Sequence, residues 1–256
     1  MSSAQNEFFC SQTLYTAEEL LSLDLDKVPK HVAIIMDGNR RWAKRNHLSS
    51  MIGHWKGAET MITVVNAAMA LGVKVLTVFA FSTENWARSR FEIESLMFLY
   101  RKFLIDQRTF MIEEGVKLET IGDLSRMPAE VVEAIEESKK VTAHCNRIQL
   151  VLAFNYGGRD EIRRAIVSLC EDYKQNKINS DQISEEMLSK YLDTASWEDP
   201  QLLIRTSGEQ RISNFLLWQI SYTELYVTDV LWPDFDQKEL LKAIIEYQHR
   251  ERRLGG

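Results

Sequence analysis

The sequence predicts a single α/β domain built on a central, mainly parallel β-sheet flanked by helices. Three observations carry this. Short apolar runs rich in β-branched and aromatic residues alternate with segments of helical spacing. The length of 256 residues suits one large domain, and no Pro-, Gly- or Ser-rich linker divides it. Polar clusters, most of them containing glycine, follow four of the strands, where open α/β sheets bind their ligands.

The elements follow in order. Residues 1–28 are polar and mixed, with one helix-like piece at Ala17–Leu23, and read as a peripheral N-terminal arm. Residues 29–256 are then the domain proper. His31–Met36 (HVAIIM) is a short buried strand. Gly53–Leu71 is a helix, with Met61, Val64, Val65, Ala68 and Leu71 on one face. Val73–Phe81 is a strand by its β-branched and aromatic content. Phe91–Glu114 is a long helix stopped by Gly115. Val116–Ile121 is a strand, and Pro128–Ala143 a helix opened by proline. Arg147–Phe154 is a strand, followed by helices over Arg159–Tyr173 and Ser184–Leu192. Strands at Leu202–Arg205 and Glu224–Val227 and a helix at Gln237–Arg250 complete the chain.

Composition removes several classes. Apolar residues are 45% and charged residues 27%, ordinary for a globular protein. With 11 Gly and 4 Pro, collagen-like and low-complexity chains are excluded. The net charge of −6 argues against a general nucleic-acid binder. No apolar run approaches the ~18 residues of a membrane span. Residues 1–26 contain no Lys or Arg, so the basic region of a secretory signal is absent. Cys10, Cys145 and Cys170 are isolated and form no CxxC pair, which fits a reducing cytoplasm rather than a disulfide or thiolate-zinc framework.

Charge is unevenly placed. Between Asn39 and Gly57 lie Arg40, Arg41, Lys44, Arg45, Lys56, His47 and His54, with no acid. The stretch reads either as a solvated basic face or as an anion site at a helix start after Gly38. Asp37 beside it favours the anion site, because a carboxylate next to phosphate needs a bridging cation such as Mg²⁺. A second stretch, Ile204–Ser213, brings Arg205, Arg211 and Ser213 around Gly208 and suits phosphate oxygens. Glu224 reads either as a loop partner or as a second metal carboxylate. The chain has no GxxxxGK[ST] and no GxGxxG, which excludes Walker and Rossmann nucleotide sites. It also lacks a DDxxD-type acidic pair.

These segments resemble the cis-prenyltransferase family. The resemblance runs from about Pro29 to Gly256. It rests on HVAIIMDGNRRWA at His31–Ala43, GHWKGA at Gly53–Ala58, FAFSTENWAR at Phe79–Arg88, NYGGRDEI at Asn155–Ile162, IRTSGEQRISNFLLWQ, and ELYVTDVLWPDF. It implies an α/β fold with an apolar product tunnel. It implies Mg²⁺-dependent condensation of isopentenyl diphosphate onto farnesyl diphosphate, with new cis double bonds. Asp37 matches the metal-binding aspartate, and Asn85 the usual candidate for taking the proton. Gly38, Asn39, Arg40 and Arg41 match the allylic diphosphate site, with Trp42, His54 and Arg88 as further substrate contacts. Ser82, Thr83, Glu84, Asn85 and Trp86 match a loop that closes over the substrates. Arg205, Arg211, Ile212 and Ser213 match the isopentenyl diphosphate site, and Glu224 a second metal-linked carboxylate.

Three positions depart from the family pattern: Arg40 replaces a usual Gly, Ser50 a common Arg, and Gln201 a usual Asp. Gln210 stands where a His can contact the metal. The apolar residues of Phe91–Met111 cover more than one helix face, which fits double-sided core packing or, with the resemblance, a tunnel wall. The C-terminal Arg253 and Gly255 read as a frayed basic tail or, by resemblance, as an R-x-G element reaching the neighbouring site of a homodimer. The expected setting is cytoplasmic, near the membrane that receives the product, with no nucleic-acid partner. Competing readings are a non-catalytic partner subunit, which would lack the first-strand aspartate, and a nucleotide or RNA binder, which would leave Asp37 and Glu224 unexplained.

Overall fold

In the computed structural model, which describes residues 14–251, the apolar runs become six strands of one sheet. They are β1 (His31–Ile35), β2 (Val75–Ser82), β3 (Val116–Ile121), β4 (Ile148–Tyr156), β5 (Leu202–Arg205) and β6 (Glu224–Val227). Every pairing is parallel, and the order is β3-β4-β2-β1-β5-β6. The described helices are α1 (Ala17–Leu21), α2 (Asn39–Arg45), α3 (Ser50–Leu71), α4 (Arg90–Asp106), α5 (Arg108–Glu114), α6 (Ala129–Thr142), α7 (Gly158–Lys174), α8 (Glu185–Ser189) and α9 (Gln237–Gln248).

Alternation along the strands builds a core on each face. Val32, Ile34, Leu76, Val78, Leu118, Leu150, Leu152 and Ile204 point to the larger core, with side chains of α3, α4, α6 and α9. Ala33, Ile35, Val151, Ala153 and Leu203 point to the smaller one, closed by Phe215 and Leu216. From β1 the chain turns toward β2, whereas from β5 it turns the other way to β6. The connections therefore diverge between β1 and β5, and a crevice forms at such a divergence.

Three sequence readings are corrected. The long helix is interrupted at Gln107, and the Ser138 hydroxyl donates to the carbonyl of Leu104 there at 3.1 Å. A side chain inserted near helix-end carbonyls is a sufficient cause for the break. The predicted peripheral arm is anchored along its described part. Tyr15, Leu23 and Val28 are buried in the larger core, and the Tyr15 hydroxyl donates to the carbonyl of Gln237 at 3.1 Å. The helix at Ser184–Leu192 shortens to α8, with Ser184 as its N-cap. Gln201, one of the departures, keeps an acceptor function: its side-chain oxygen takes the backbone N–H groups of Lys30 and His31 at the start of β1.

Candidate active site

The crevice is built where β1 and β5 end side by side, with Ile35 in register with Arg205. The residues just beyond therefore meet. Asp37 Oδ2 accepts from Arg205 Nη2 at 3.0 Å, and Asp37 Oδ1 lies 3.2 Å from Arg41 Nη2. Burial works to raise the Asp37 carboxyl, but bonds from Arg205 and Arg41 outweigh it and hold the group below the ordinary carboxylate range. Arg205 is only 6% exposed and also donates to Ser213 Oγ at 2.8 Å and to the carbonyl of Arg211. The two anion sites read from the sequence are thus neighbours sharing Asp37.

Gly38 makes the turn into α2 at φ +114°, a backbone state that favours glycine, with Leu231 packed against it. The first intrahelical bond of α2 runs from Trp42 N–H to Gly38 C=O at 2.8 Å, so the N–H groups of Asn39, Arg40 and Arg41 precede the ladder. α2 lies close on α3 because Gly53 and Gly57 have no side chain. A Cβ at Gly57 would stand 2.5 Å from Asn39 Oδ1.

Two connected chambers result. One, of about 450 Å³, is lined by Asp37, Gly38, Asn39, Arg40, Arg41, His54, Arg88, Glu209 and Arg211. The other, of about 640 Å³, shares Asp37 and runs inward between the sheet and helices α3 and α4. Ser82, Glu84, Asn85, Arg88, Arg205, Arg211 and Ser213 stand among the polar residues lining it. Its apolar walls include Met61, Phe79, Leu96, Leu99, Phe103 and Phe154. One face of α4 therefore lines a cavity, and other apolar residues of that helix, such as Met97 and Leu104, pack in the larger core.

Several predicted residues point elsewhere. Trp42 donates from its indole to Asp234 at 2.7 Å and lines neither chamber. Ile212 packs against the smaller core. Thr83 and Trp86 belong to a short 3₁₀ helix, Thr83–Ala87, at the rim. The Trp86 indole bonds Asn155, and Arg126 stacks over its ring at 4.8 Å. Asn85 Oδ1 accepts the Ser82 N–H at 3.2 Å, which leaves its NH₂ as the free end.

Glu224 is not brought to Asp37 within this chain. It is in register with Leu202, and Leu202 with Val32, so it sits at the amino end of the strands. There it accepts from Arg250 at 3.0 Å. Within this chain Glu224 is an ion-pair partner of Arg250 and is not brought to Asp37 as the second metal carboxylate expected from the resemblance. Arg253 and Gly255 lie outside the described residues. Ser50 is exposed at the start of α3 and lines neither chamber, whereas Arg40 lines the 450 Å³ chamber.

Sequence reasoning missed Glu92. It accepts from Arg88 at 3.0 Å and lies 3.6 Å from Arg40 and 3.8 Å from His54. Its signal was the Arg88/Glu92 spacing of four beside the Ser89 cap of α4. His54 is nearly buried, and desolvation with the nearby Arg88 pushes its pKa down to about 4, so the ring is neutral. Asn214 was also missed. Its side chain donates to Glu84 at 2.9 Å and accepts from the Arg159 N–H at 3.0 Å, which links the 3₁₀ rim to α7.

No group of three His, Cys, Asp or Glu among the described residues forms a metal cage. The Asp37 carboxylate, facing the anion pocket, is nevertheless a suitable donor for Mg²⁺, which takes one or two carboxylates and completes its shell with phosphate oxygens and water. No described helix is long and apolar enough to cross a membrane.

Comparison with known proteins agrees with this geometry. Residues 35–255 match the model of the family Prenyltransf, undecaprenyl diphosphate synthase. An isoprenyl transferase of Chlamydia caviae is 49% identical over 93% of this chain and 97% of its own length. One from Clostridium perfringens is 48% identical over 98% of both. The structure of lavandulyl diphosphate synthase from Lavandula x intermedia with dimethylallyl diphosphate aligns at TM-score 0.88, 35% identity, over 90% of this chain and 100% of that one. A structure described as a probable undecaprenyl diphosphate synthase from Campylobacter jejuni aligns at TM-score 0.75 and 36% identity, over 89% and 99%.

Proposed function

Because this chain belongs to the undecaprenyl diphosphate synthase family and is a cis-prenyltransferase, we propose that it extends farnesyl diphosphate by successive cis condensations with isopentenyl diphosphate. The product is a long-chain polyprenyl diphosphate, undecaprenyl diphosphate, the precursor of the lipid carrier used in cell-wall synthesis. One observation carries this reading: two arginine-lined anion pockets meet at Asp37 and open onto an apolar cavity of about 640 Å³.

The allylic diphosphate takes the Gly38–Arg41 side, with Arg40, Arg41 and Arg88 as cationic donors. Isopentenyl diphosphate takes Arg205, Arg211 and Ser213. Preplaced donors stabilise the charge that grows on the leaving diphosphate. Asp37 would hold Mg²⁺ together with diphosphate oxygens, and the ion supplies further charge neutralisation when bound. Asn85 offers its NH₂ toward the cavity, since its oxygen is engaged with Ser82. It orients substrate as a donor, and the departing diphosphate takes the proton. The hydrocarbon chain grows into the apolar cavity away from water.

Each added isoprene buries five carbons, roughly 4 kcal/mol as an upper figure. A long product therefore needs lipid to leave, which supports a cytoplasmic enzyme delivering to a membrane. A homodimer is part of the proposal. β6 is the sheet edge and exposes Leu225 and Val227, and its outer edge, unpaired among the described residues, is one that a second copy can cover. The Arg253–Gly255 element would then serve the neighbouring site. The test is purified protein with farnesyl diphosphate, labelled isopentenyl diphosphate and Mg²⁺, followed by product sizing. Labelled chains near eleven isoprene units are expected, and no elongation would refute the reading.

A further inference from the structure

Glu209 is an acid inside the anion pocket to which the diphosphate assignment gives no role. Its Oε1 lies 3.2 Å from Arg41 Nη1, and its Oε2 accepts from Arg211 Nη1 at 2.5 Å. Arg41 belongs to α2, on the allylic side. Arg211 follows β5, on the isopentenyl side. One carboxylate therefore bridges guanidinium groups assigned to two different diphosphates.

The charge balance of the pocket shows why. Arg40, Arg41, Arg88, Arg205 and Arg211 converge on the two chambers. Asp37 pairs with Arg205 and also with Arg41, and Glu92 pairs with Arg88 and Arg40. Among the described acids of the pocket, Glu209 is the ion-pair partner of Arg211. It stands on a pinned base, since Ser207 N–H donates to the carbonyl of Val230 and Gly208 N–H to that of Thr228, both at 2.8 Å. Residues 209–212 beyond that base belong to no helix or strand, and the Glu209 side chain keeps 31% of its exposure. The carboxylate can turn away from the arginines without unfolding an element.

We propose that Glu209 is a built-in counter-anion. It holds the place between Arg41 and Arg211 that a diphosphate takes, and gives it up as a diphosphate passes between the two sites. This rests on the diphosphate reading above. Successive condensation requires the lengthened chain to carry its diphosphate from the isopentenyl side to the allylic side before the next addition. A resident carboxylate keeps both arginines matched before and after that passage and, by competing for them, lowers the affinity that would otherwise trap the diphosphate at either end. No bond to Glu209 forms or breaks.

The experiment is calorimetric titration of the full chain with inorganic pyrophosphate in the absence of metal, comparing the parent with Glu209→Gln. The amide keeps the size and removes the charge. Binding about tenfold tighter is expected, because the competing ion pairs are gone. Unchanged or weaker binding overturns the proposal, since a residue that only props Arg41 and Arg211 would weaken binding when altered. Glu94→Gln removes an exposed acid paired with Arg90 outside both chambers. Equal tightening there also overturns the proposal, because the effect would then be general charge. Failure of the parent to bind pyrophosphate refutes the diphosphate reading and this proposal with it. Binding by the parent with an unmoved variant refutes this proposal alone.

Discussion

The indole of Trp86 donates to the side-chain oxygen of Asn155 at 2.7 Å, and the amide of Asn155 donates in turn to the carbonyl of Asp123 at 2.6 Å. This ties the rim of the active site to the end of β4. Asn155 does so from a left-handed backbone at φ +45°, where the pairing of β2 with β4 slips. Asn tolerates that conformation better than most residues, and bulges beside active sites re-aim side chains in this way.

Asn155→Ala removes both bonds from a buried position and leaves the left-handed backbone strained. Destabilisation of about 2 kcal/mol in urea unfolding is expected. Trp86 fluorescence, isolated by difference against Trp86→Phe, should shift to the red. An unshifted spectrum would show that the 3₁₀ rim keeps its place without Asn155.

Asp37→Ala should abolish turnover while retaining farnesyl diphosphate binding, since the cationic donors of the pocket remain. Chelator should reproduce the loss in the parent, and added Mg²⁺ should reverse it. Near-normal turnover of the variant or of the chelated parent would exclude the metal role of Asp37.

Arg205 and Arg211 separate in this structure. Arg205 is buried and holds Asp37, Ser213 and the backbone of Arg211, so Arg205→Ala should impair both substrates and lower stability. The side chain of Arg211 is 62% exposed, and Arg211→Ala should raise KM for isopentenyl diphosphate alone, by about tenfold or more. Steady-state kinetics with each substrate varied would reveal an equal effect of Arg211→Ala on both, which would reassign it.

Arg40 lines the anion chamber while Ser50 does not, so Arg40 is positioned to supply the cationic charge that Ser50 lacks. Arg40→Gly should weaken farnesyl diphosphate binding, and Ser50→Arg in that background should restore it. Ser50→Arg alone should add little. Additive effects within ~0.5 kcal/mol in this double-mutant cycle would mean that Arg40 does not compensate.

Stability should fall between pH 6.5 and pH 4. Desolvation lowers His31 to about 4 and His54 to about 4 in the folded state, whereas both titrate near 6.5 when unfolded. In that window the unfolded chain binds more protons, so acidification favours unfolding. Each ring contributes about 3 kcal/mol as an upper figure. His31 Nδ1 donates to the carbonyl of Glu198 at 2.6 Å, so Nε2 accepts from the Thr77 hydroxyl at 2.8 Å. His31→Gln should flatten the pH slope of urea-unfolding free energies by about one proton. An unaltered slope would remove His31 from the account.

What the sequence determined by itself was local. Strand and helix identities followed from hydrophobic period and side-chain type, and the polar clusters after the strands followed from the same reading. Even the split at Gln107 lay inside a segment correctly assigned to helix, because the cause sits on Ser138, 31 residues away in sequence. Tertiary structure alone decided which strands are neighbours. Placing β5 beside β1 put Arg205 against Asp37 and merged two anion motifs into one pocket. The same parallel register sent Glu224 to the opposite end of the sheet, although it follows Asp37 in the motif order. Glu92 meets His54 and Arg40 only because α4 packs against α3, which in turn packs against α2. Charge pairing acts over a few ångströms, and residues separated by tens or hundreds of positions come within that range only after the sheet order is set.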